Sequence, residues 1–380
     1  MARVMGTDSG TKSYDIFGFD DETNEVFVDE SIPRDLMVSN PSIVVKRLKN
    51  LVKTYRVEVV VASSGYGIPL KPAYEASYEE IAMATFISEK EVLKGHRILG
   101  LRKLLRLIKE DPELNRITYF TPGVIQLPTV PIYRKINRID MGTSDKVYTA
   151  ALAIARHAER FGIGYRHVDI IAVEIGFAYT SALAIRSGEI VDAIAGTAGF
   201  PGYIGTGFVD GELVYAINNI DVEFPKEALF RGGAAWLSLQ DPFKTPIDEF
   251  IGKQPGYELM LESIAKDILV LLYSVKPQAV YLSGRFIRID RFVKDSINTI
   301  SKTVKALEKH ELLIMKLESR GRVAKEAAEG AAIIASGLAG GRYKELVDVL
   351  RLRESSGTIF DYITIVDKKK LIDAYSKYIE

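Results

Sequence analysis

The sequence predicts an α/β fold built twice over. Three observations carry this expectation. An apolar strand ends in a polar glycine turn at Asp8-Ser9-Gly10, the same order of elements returns near residue 168, and a second glycine turn, Ser283-Gly284-Arg285, closes the later copy.

In the first copy, runs near 3–8, 14–20 and 25–29 read as short strands. The link Asp21-Glu22-Thr23-Asn24 between the last two is good turn chemistry. Residues 41–54 place Ile43, Val44, Leu48, Leu51 and Val52 at helical spacing. Val57–Val61 follows as a buried strand that runs into Ser63-Ser64-Gly65-Tyr66-Gly67.

In the second copy, Val168–Ile175 and Thr180–Arg186 read as strands, and Ser187-Gly188 turns into a third, Glu189–Ile194. A helix is expected over about 257–275 on Leu259, Leu261, Ile264, Ile268, Leu271 and Leu272, before the strand Ala279–Leu282. A glycine-rich insertion occupies roughly 196 to 240. Between the copies, Asp145–Phe161 carries Val147, Ala151, Ile154, Ala158 and Phe161 on one helical face. That helix would join the halves and leave a ligand cleft between them. The expected domains are 1–144, 145–350 and a tail, 351–380, helical at its end.

Composition narrows the chemistry. The chain has 380 residues, with Lys+Arg 50 against Asp+Glu 50, so no global field points to nucleic acid or to an anionic membrane. No apolar run reaches the roughly 18–20 residues of a membrane span, and a cytoplasmic location is expected. The absence of cysteine excludes disulfides, thiolate nucleophiles and cysteine-held zinc or iron–sulfur centres. The four histidines, His96, His157, His167 and His310, form no paired metal-binding spacing.

The turn after the first strand is the strongest chemical signal. Gly10 lets backbone approach a ligand closely, and the hydroxyls of Thr11 and Ser13 suit phosphate oxygens. Lys12 can reach a β- or γ-phosphate or point into water. Asp8, at the end of the strand, can hold a divalent cation beside that phosphate. The other reading of this stretch is a plain polar hairpin turn.

Duplicated halves with an Asp-x-Gly-Thr hairpin and a late glycine turn resemble the sugar kinase–Hsp70–actin superfamily. Gly65-Tyr-Gly-Ile-Pro-Leu-Lys-Pro72 is similar to the glycine–proline loop of butyrate kinases, and Arg138-Ile-Asp-Met-Gly-Thr-Ser-Asp-Lys146 to the His-Gly-Thr-Ser-His region of acetate kinases. Asp169–Asp192 resembles their central phosphate hairpin, and Glu329-Gly330-Ala331-Ala332 a late superfamily run. The chain as a whole resembles an archaeal family described as predicted butyrate kinases (DUF1464). The resemblance implies duplicated ribonuclease H-like, actin-like ATPase domains. Each would be a mixed sheet flanked by helices, with a nucleotide cleft between them. It further implies ATP/ADP and Mg²⁺ as cofactors, a small-molecule acid as substrate and a homodimer.

Residue by residue, the resemblance implies phosphate contacts at Gly10, Thr11, Lys12 and Ser13, and at Gly176. Ser283, Gly284 and Arg285 would pack on adenosine, with Gly330 nearby and Gly65 on the substrate side. Gly142-Thr143-Ser144 opens the connecting helix; it is either an ordinary N-cap or an anion site made from the same N–H groups. Asp140 can orient a nucleophile, and Arg134 and Arg138 can neutralise a carboxylate or simply be solvated. Glu174 ends the first strand of the second copy, the place Asp8 holds in the first, and can act as a base or hold metal-bound water. Gly199 and Gly202 belong to a stretch expected to be a substrate-side loop or lid. The chain departs from acetate kinases where Met141, Asp145 and Glu174 replace histidines. In the second hairpin Gly176-Phe177-Ala178 has lost two glycines. An ATP-dependent kinase and a nucleotide-gated scaffold without transfer activity therefore both stand at this point.

Overall fold

Two sheets carry the repeat. The computed structural model describes residues 2–93, 99–307 and 312–379, so His96 and His310 lie outside the described residues. In the first sheet the strands are β1 (Arg3–Ser9), β2 (Ser13–Asp20), β3 (Val26–Pro33), β4 (Val59–Ala62), β5 (Lys71–Pro72) and β6 (Thr118–Phe120), in the order β3-β2-β1-β4-β6-β5. The second holds β7 (Ile170–Ile175), β8 (Thr180–Arg186), β9 (Glu189–Ala195), β10 (Ala279–Ser283) and β11 (Leu313–Lys316), in the order β11-β10-β7-β8-β9. With β5 set aside, the two orders are the same order read from opposite ends. The expected strands are found to within a few residues, and the fold is the duplicated ribonuclease H-like one, each mixed sheet flanked by helices. The short strands β5 and β6 complete the first sheet without forming apolar runs in the sequence, and β11 completes the second.

Register places the candidate residues. β1 runs antiparallel to β2 with Asp8 opposite Asp15 and Ser9 opposite Tyr14, and parallel to β4. β7 runs parallel to β10, which sets Ser283 beside Glu174.

The chain divides into two compact units. Met1–Val168, Ile185–Val191 and Leu317–Glu380 make the first; Asp169–Ala184 and Asp192–Lys316 make the second. The connecting helix Ser144–Phe161 and the stretch from Leu317 onward thus belong to the first unit, so the units interleave along the chain rather than following a boundary at residue 144. The physical reason lies in the helix Glu326–Leu338. Its residues are small and buried, and it packs against β1, β4 and the connecting helix. Contact is so close that a Cβ on Gly6 would fall on the backbone of Ala332, and one on Gly330 on the carbonyl oxygen of Tyr148. Gly330, expected near a cofactor, is placed here as a helix–helix contact. Its neighbour Glu329 is fully buried and accepts from the Arg156 and Arg320 guanidinium groups and the Ser319 hydroxyl.

On the other side of the first sheet, Val44, Leu48 and Leu51 of the helix Ser42–Tyr55 meet Leu104, Leu105 and Ile108 of the helix Leu99–Glu110 in one buried cluster. The tail contributes more than its sequence promised. Phe360 and Tyr375 lie against Phe86, and the buried Arg102 donates to the carbonyls of Ala82, Ile87 and Ile379. Within the second unit, the helices Gly256–Leu271 and Asp290–Leu307 pack on one another, the first also against β7 and the second against β11. Among the described residues, no helix is long and apolar enough to cross a membrane.

Gly330→Ala is expected to destabilise the fold by about 1–3 kcal/mol, because the added methyl has only backbone to displace. Thermal unfolding followed by circular dichroism would read this as a lower midpoint, and an unchanged midpoint would refute the close packing.

Candidate functional site

Within the first unit, four segments bring charge to the first hairpin. Near its end β1 carries Asp8, and β2 carries Asp15; both carboxylates are buried, at 0% and 1% exposure. Such groups require an ionic partner or several donors to remain charged. The partner is Lys325, which caps the helix Glu326–Leu338. Its ammonium bonds the Asp8 carboxylate and lies 3.5 Å from Asp15 Oδ2. Nothing in the local sequence marks this residue. It sits 317 positions from Asp8, and Val-Ala-Lys-Glu reads as an ordinary helix start.

The backbone around Lys325 is held as firmly as its side chain. The Asp29 carboxylate on β3 accepts from the amides of Arg322, Val323 and Ala324 at 2.7, 3.0 and 2.7 Å. The next amide, that of Lys325, lies 3.4 Å from Asp15 Oδ2, while Asp15 Oδ1 accepts from the Ser31 hydroxyl. Asp21 adds a second tie by accepting from the amide of Arg342 and the hydroxyl of Ser336.

Arg34 grips the other side of the turn. Its guanidinium donates to Ser9 Oγ at 2.8 Å and to the Gly10 carbonyl at 3.1 Å, and its amide donates to the Lys12 carbonyl at 3.0 Å. Burial pushes Arg34 down to about 10 against the pull of Asp8 and Asp35, so it stays charged at neutral pH. Inside the turn, the Gly10 amide donates to the Ser13 carbonyl at 2.9 Å, Ser13 is buried, and Thr11 and Lys12 are exposed. Gly10 has a use unforeseen in the sequence: a Cβ there would fall on the Lys325 ammonium.

The N-terminus of the connecting helix joins the same constellation. Asp140 accepts from the Gly142 amide at 3.0 Å, an Asx turn made possible by the positive φ of Gly142. The Thr143 hydroxyl bonds Asp145, and Lys146 pairs with Asp145 at 2.6 Å. Burial raises the Asp145 carboxyl, but Lys146, Thr143 and Lys325 together hold it below the usual range. Ser144 is fully buried; its amide donates to the Gly65 carbonyl at 2.9 Å, and its hydroxyl accepts from the Ser64 amide at 2.9 Å. Gly65, with φ +60°, turns the loop after β4 close to the Ala84 carbonyl. Thr143 makes no side-chain cap hydrogen bond to the helix, and Ser144 splices two loops. The Arg134 guanidinium donates to the Val191 carbonyl at 2.7 Å, and Arg138 is half-buried.

The second unit has a different character. Glu174 is 7% exposed beside Ser283, whose hydroxyl donates to the Val173 carbonyl at 2.8 Å. Gly284 has φ +92°, a Cβ there would strike the Ile175 backbone, and Arg285 follows half-buried. Gly176 closes the hairpin through its amide to the Tyr179 carbonyl at 2.9 Å. Phe177 is buried against Tyr203, with ring centroids 5.1 Å apart.

The glycine stretch packs on this hairpin instead of standing open as a loop or lid. The Gly205 amide donates to the Ala178 carbonyl at 2.9 Å, and a Cβ on Gly202 would strike that same carbonyl. Gly199 leaves room for the fully buried Asp267, whose Oδ1 accepts from the Phe200 amide at 3.1 Å. Asp267 Oδ2 has no hydrogen-bond partner among the described residues, and burial pushes the carboxyl up to about 8. Nothing in the local sequence marked this residue, which sits at an interior position of an apolar helix pattern.

Residues 6–365 match the family described as "Protein of unknown function (DUF1464)". No curated protein matches the chain. Among solved structures, a propionate kinase from Francisella tularensis subsp. tularensis SCHU S4 is similar at 12% identity and TM-score 0.57, over 87% of this chain and 98% of that one. Porphyromonas gingivalis acetate kinase is similar at 12% identity and TM-score 0.53, over 87% and 98%. Entamoeba histolytica acetate kinase reaches a TM-score of 0.51 at 12% identity, over 84% and 96%. These likenesses show a shared fold across nearly the whole of each chain.

Asp267 makes stability depend on pH. Its folded carboxyl holds a proton more tightly than the unfolded one, so its contribution is fully present below the ordinary value of 3.8 and is lost as pH rises through about 8. Asp267→Asn should therefore melt close to the parent protein near pH 4 and above it near pH 8. A melting difference that stays constant across that range would refute the assignment.

Proposed function

We propose that this chain, which belongs to the family described as protein of unknown function (DUF1464), is an ATP-dependent phosphotransferase whose acceptor is a small carboxylic acid. The observation that carries the reading is the first hairpin turn, gripped between Arg34 and Lys325 above the buried Asp8. The shared fold with an acetate kinase and a propionate kinase supports the direction of the reading, and the acceptor class is inferred from them.

The chemistry asked of the protein is mostly placement and charge. A carboxylate oxygen attacks the γ-phosphorus, the bond from that phosphorus to the ADP oxygen breaks, and an acyl phosphate and ADP leave. The acceptor is already ionised at neutral pH, so no strong base is needed. Transfer then depends on holding the two reactants in line and on offsetting negative charge. Arg34, Lys325 and the exposed Lys12 supply positive charge around the turn. Arg134 and Arg138 are the arginines assigned to the acceptor carboxylate. Asp8 and Asp15 have their carboxylates turned to Lys325, so Mg²⁺ is assigned to the incoming nucleotide as its complex rather than to a seat on these carboxylates.

A second reading, nucleotide binding without transfer, is favoured by one feature, the burial of Phe177 where the second hairpin has lost glycine. One experiment separates the two. Calorimetry with MgATP and MgADP reports binding, and hydroxylamine trapping across acetate, propionate and butyrate reports acyl phosphate. Binding with trapped product supports the kinase, binding alone supports the second reading, and neither signal refutes both. Arg34→Ala is expected to weaken nucleotide binding about tenfold or more, since it removes charge-assisted hydrogen bonds that shape the turn. Unchanged affinity in that variant would remove the first hairpin from the site.

A further inference from the structure

A divalent ion held by protein alone needs several oxygens whose lone pairs face a common centre. The carboxylates best placed for that at the first hairpin are Asp8 and Asp15, opposite one another on β1 and β2. Both already face one cation. Lys325 Nζ bonds Asp8 Oδ2 and stands 3.5 Å from Asp15 Oδ2, and the space kept clear over Gly10 is filled by the same ammonium. Its position is built rather than incidental. Three amides before Lys325 are fixed on Asp29, and its own amide reaches Asp15. Among the described residues, no group of three or more His, Asp or Glu side chains is arranged to hold a metal. The residues at this turn therefore do not fit a protein-held divalent cation.

We infer that Lys325 is the resident cation of this turn: its ammonium takes the place of a divalent ion between Asp8 and Asp15, so the free protein carries no divalent-cation site there. The assignment rests on geometry. Only its consequence for a ligand rests on the nucleotide reading above: the phosphates would meet an ammonium, with the lysine side chain 15% exposed, instead of a metal fixed on Asp8. A lysine is suited to this because it is a compact point charge with three donors that can turn among several oxygens. Unlike a metal ion, it is tethered, so the turn is charge-balanced at every metal concentration.

The test uses the whole protein without nucleotide, with Mn²⁺ alone as the probe. The parent protein should show no uptake of Mn²⁺ at this turn by electron paramagnetic resonance and no rise in melting temperature in millimolar Mn²⁺. Lys325→Met should lower the melting temperature by about 4–6 °C, because two buried carboxylates lose their partner. Mn²⁺ should restore at least half of that loss. The double variant Lys325→Met with Asp8→Asn should recover stability without metal, which separates charge from packing and gives a folded control should the single variant fail to fold. Three results overturn the inference: Mn²⁺ uptake by the parent protein that Asp8→Asn abolishes, an unshifted melting temperature in Lys325→Met, or a loss that Mn²⁺ leaves unrestored. Failure of the parent protein to bind any nucleotide would refute the kinase reading and leave this result to stand or fall on the metal data.

Discussion

The contact on which the first unit depends is the ammonium of Lys325 set between the carboxylates of Asp8 and Asp15. Desolvating two carboxylates on adjacent strands costs several kcal/mol each unless a cation reaches them with good geometry. The cation set between them is distant in sequence. It comes from the far end of the chain, delivered by a helix start that Asp29 and Asp15 hold by the backbone. The constellation is then close to neutral, with Asp8, Asp15 and Asp145 set against Arg34, Lys146 and Lys325. Neutrality lets Asp8 be fully buried at the end of β1 without forcing the turn apart.

Several features that look independent follow from this one. The helix Glu326–Leu338 has to approach β1 closely for the lysine that precedes it to reach Asp8, and that is achieved with small residues: Gly6 on the strand, and Ala328 and Ala332 on the helix. Glu329 is buried by the same approach and is neutralised by Arg156 and Arg320. Gly10 is small for the ammonium's sake.

The fold was legible because its signals are local. Strands such as Val57–Val61 and Ala279–Leu282 are apolar runs ended by glycine turns, and each copy repeats them in order. The short strands β5 and β6 form no such run. The site was half legible. Asp8 and Gly10 stand in a recognisable turn, and the turns at Gly176 and Gly284 were likewise visible. The partners of those residues were not: Lys325 and Asp29 act across hundreds of positions, and a lysine ahead of a helix is common. Gly330 and Gly202 were misleading for the converse reason. A glycine needed for backbone packing and one needed for a ligand look the same in sequence, since both answer the same steric demand.

The two repeats have diverged in what they do with the same hairpin. In the first, the turn at the end of its central strand is charged, and its space is filled by an ammonium. In the second, the corresponding turn is filled by Phe177 and Tyr203 and covered by the glycine stretch, while Glu174 and Ser283 remain at the strand ends. A duplicated turn that faced the same ligand in both copies would be under the same chemical demand in each. The opposite fillings, one ionic and one aromatic, indicate that the demands differ. Charge is concentrated at the first hairpin, and shape and close backbone packing at the second.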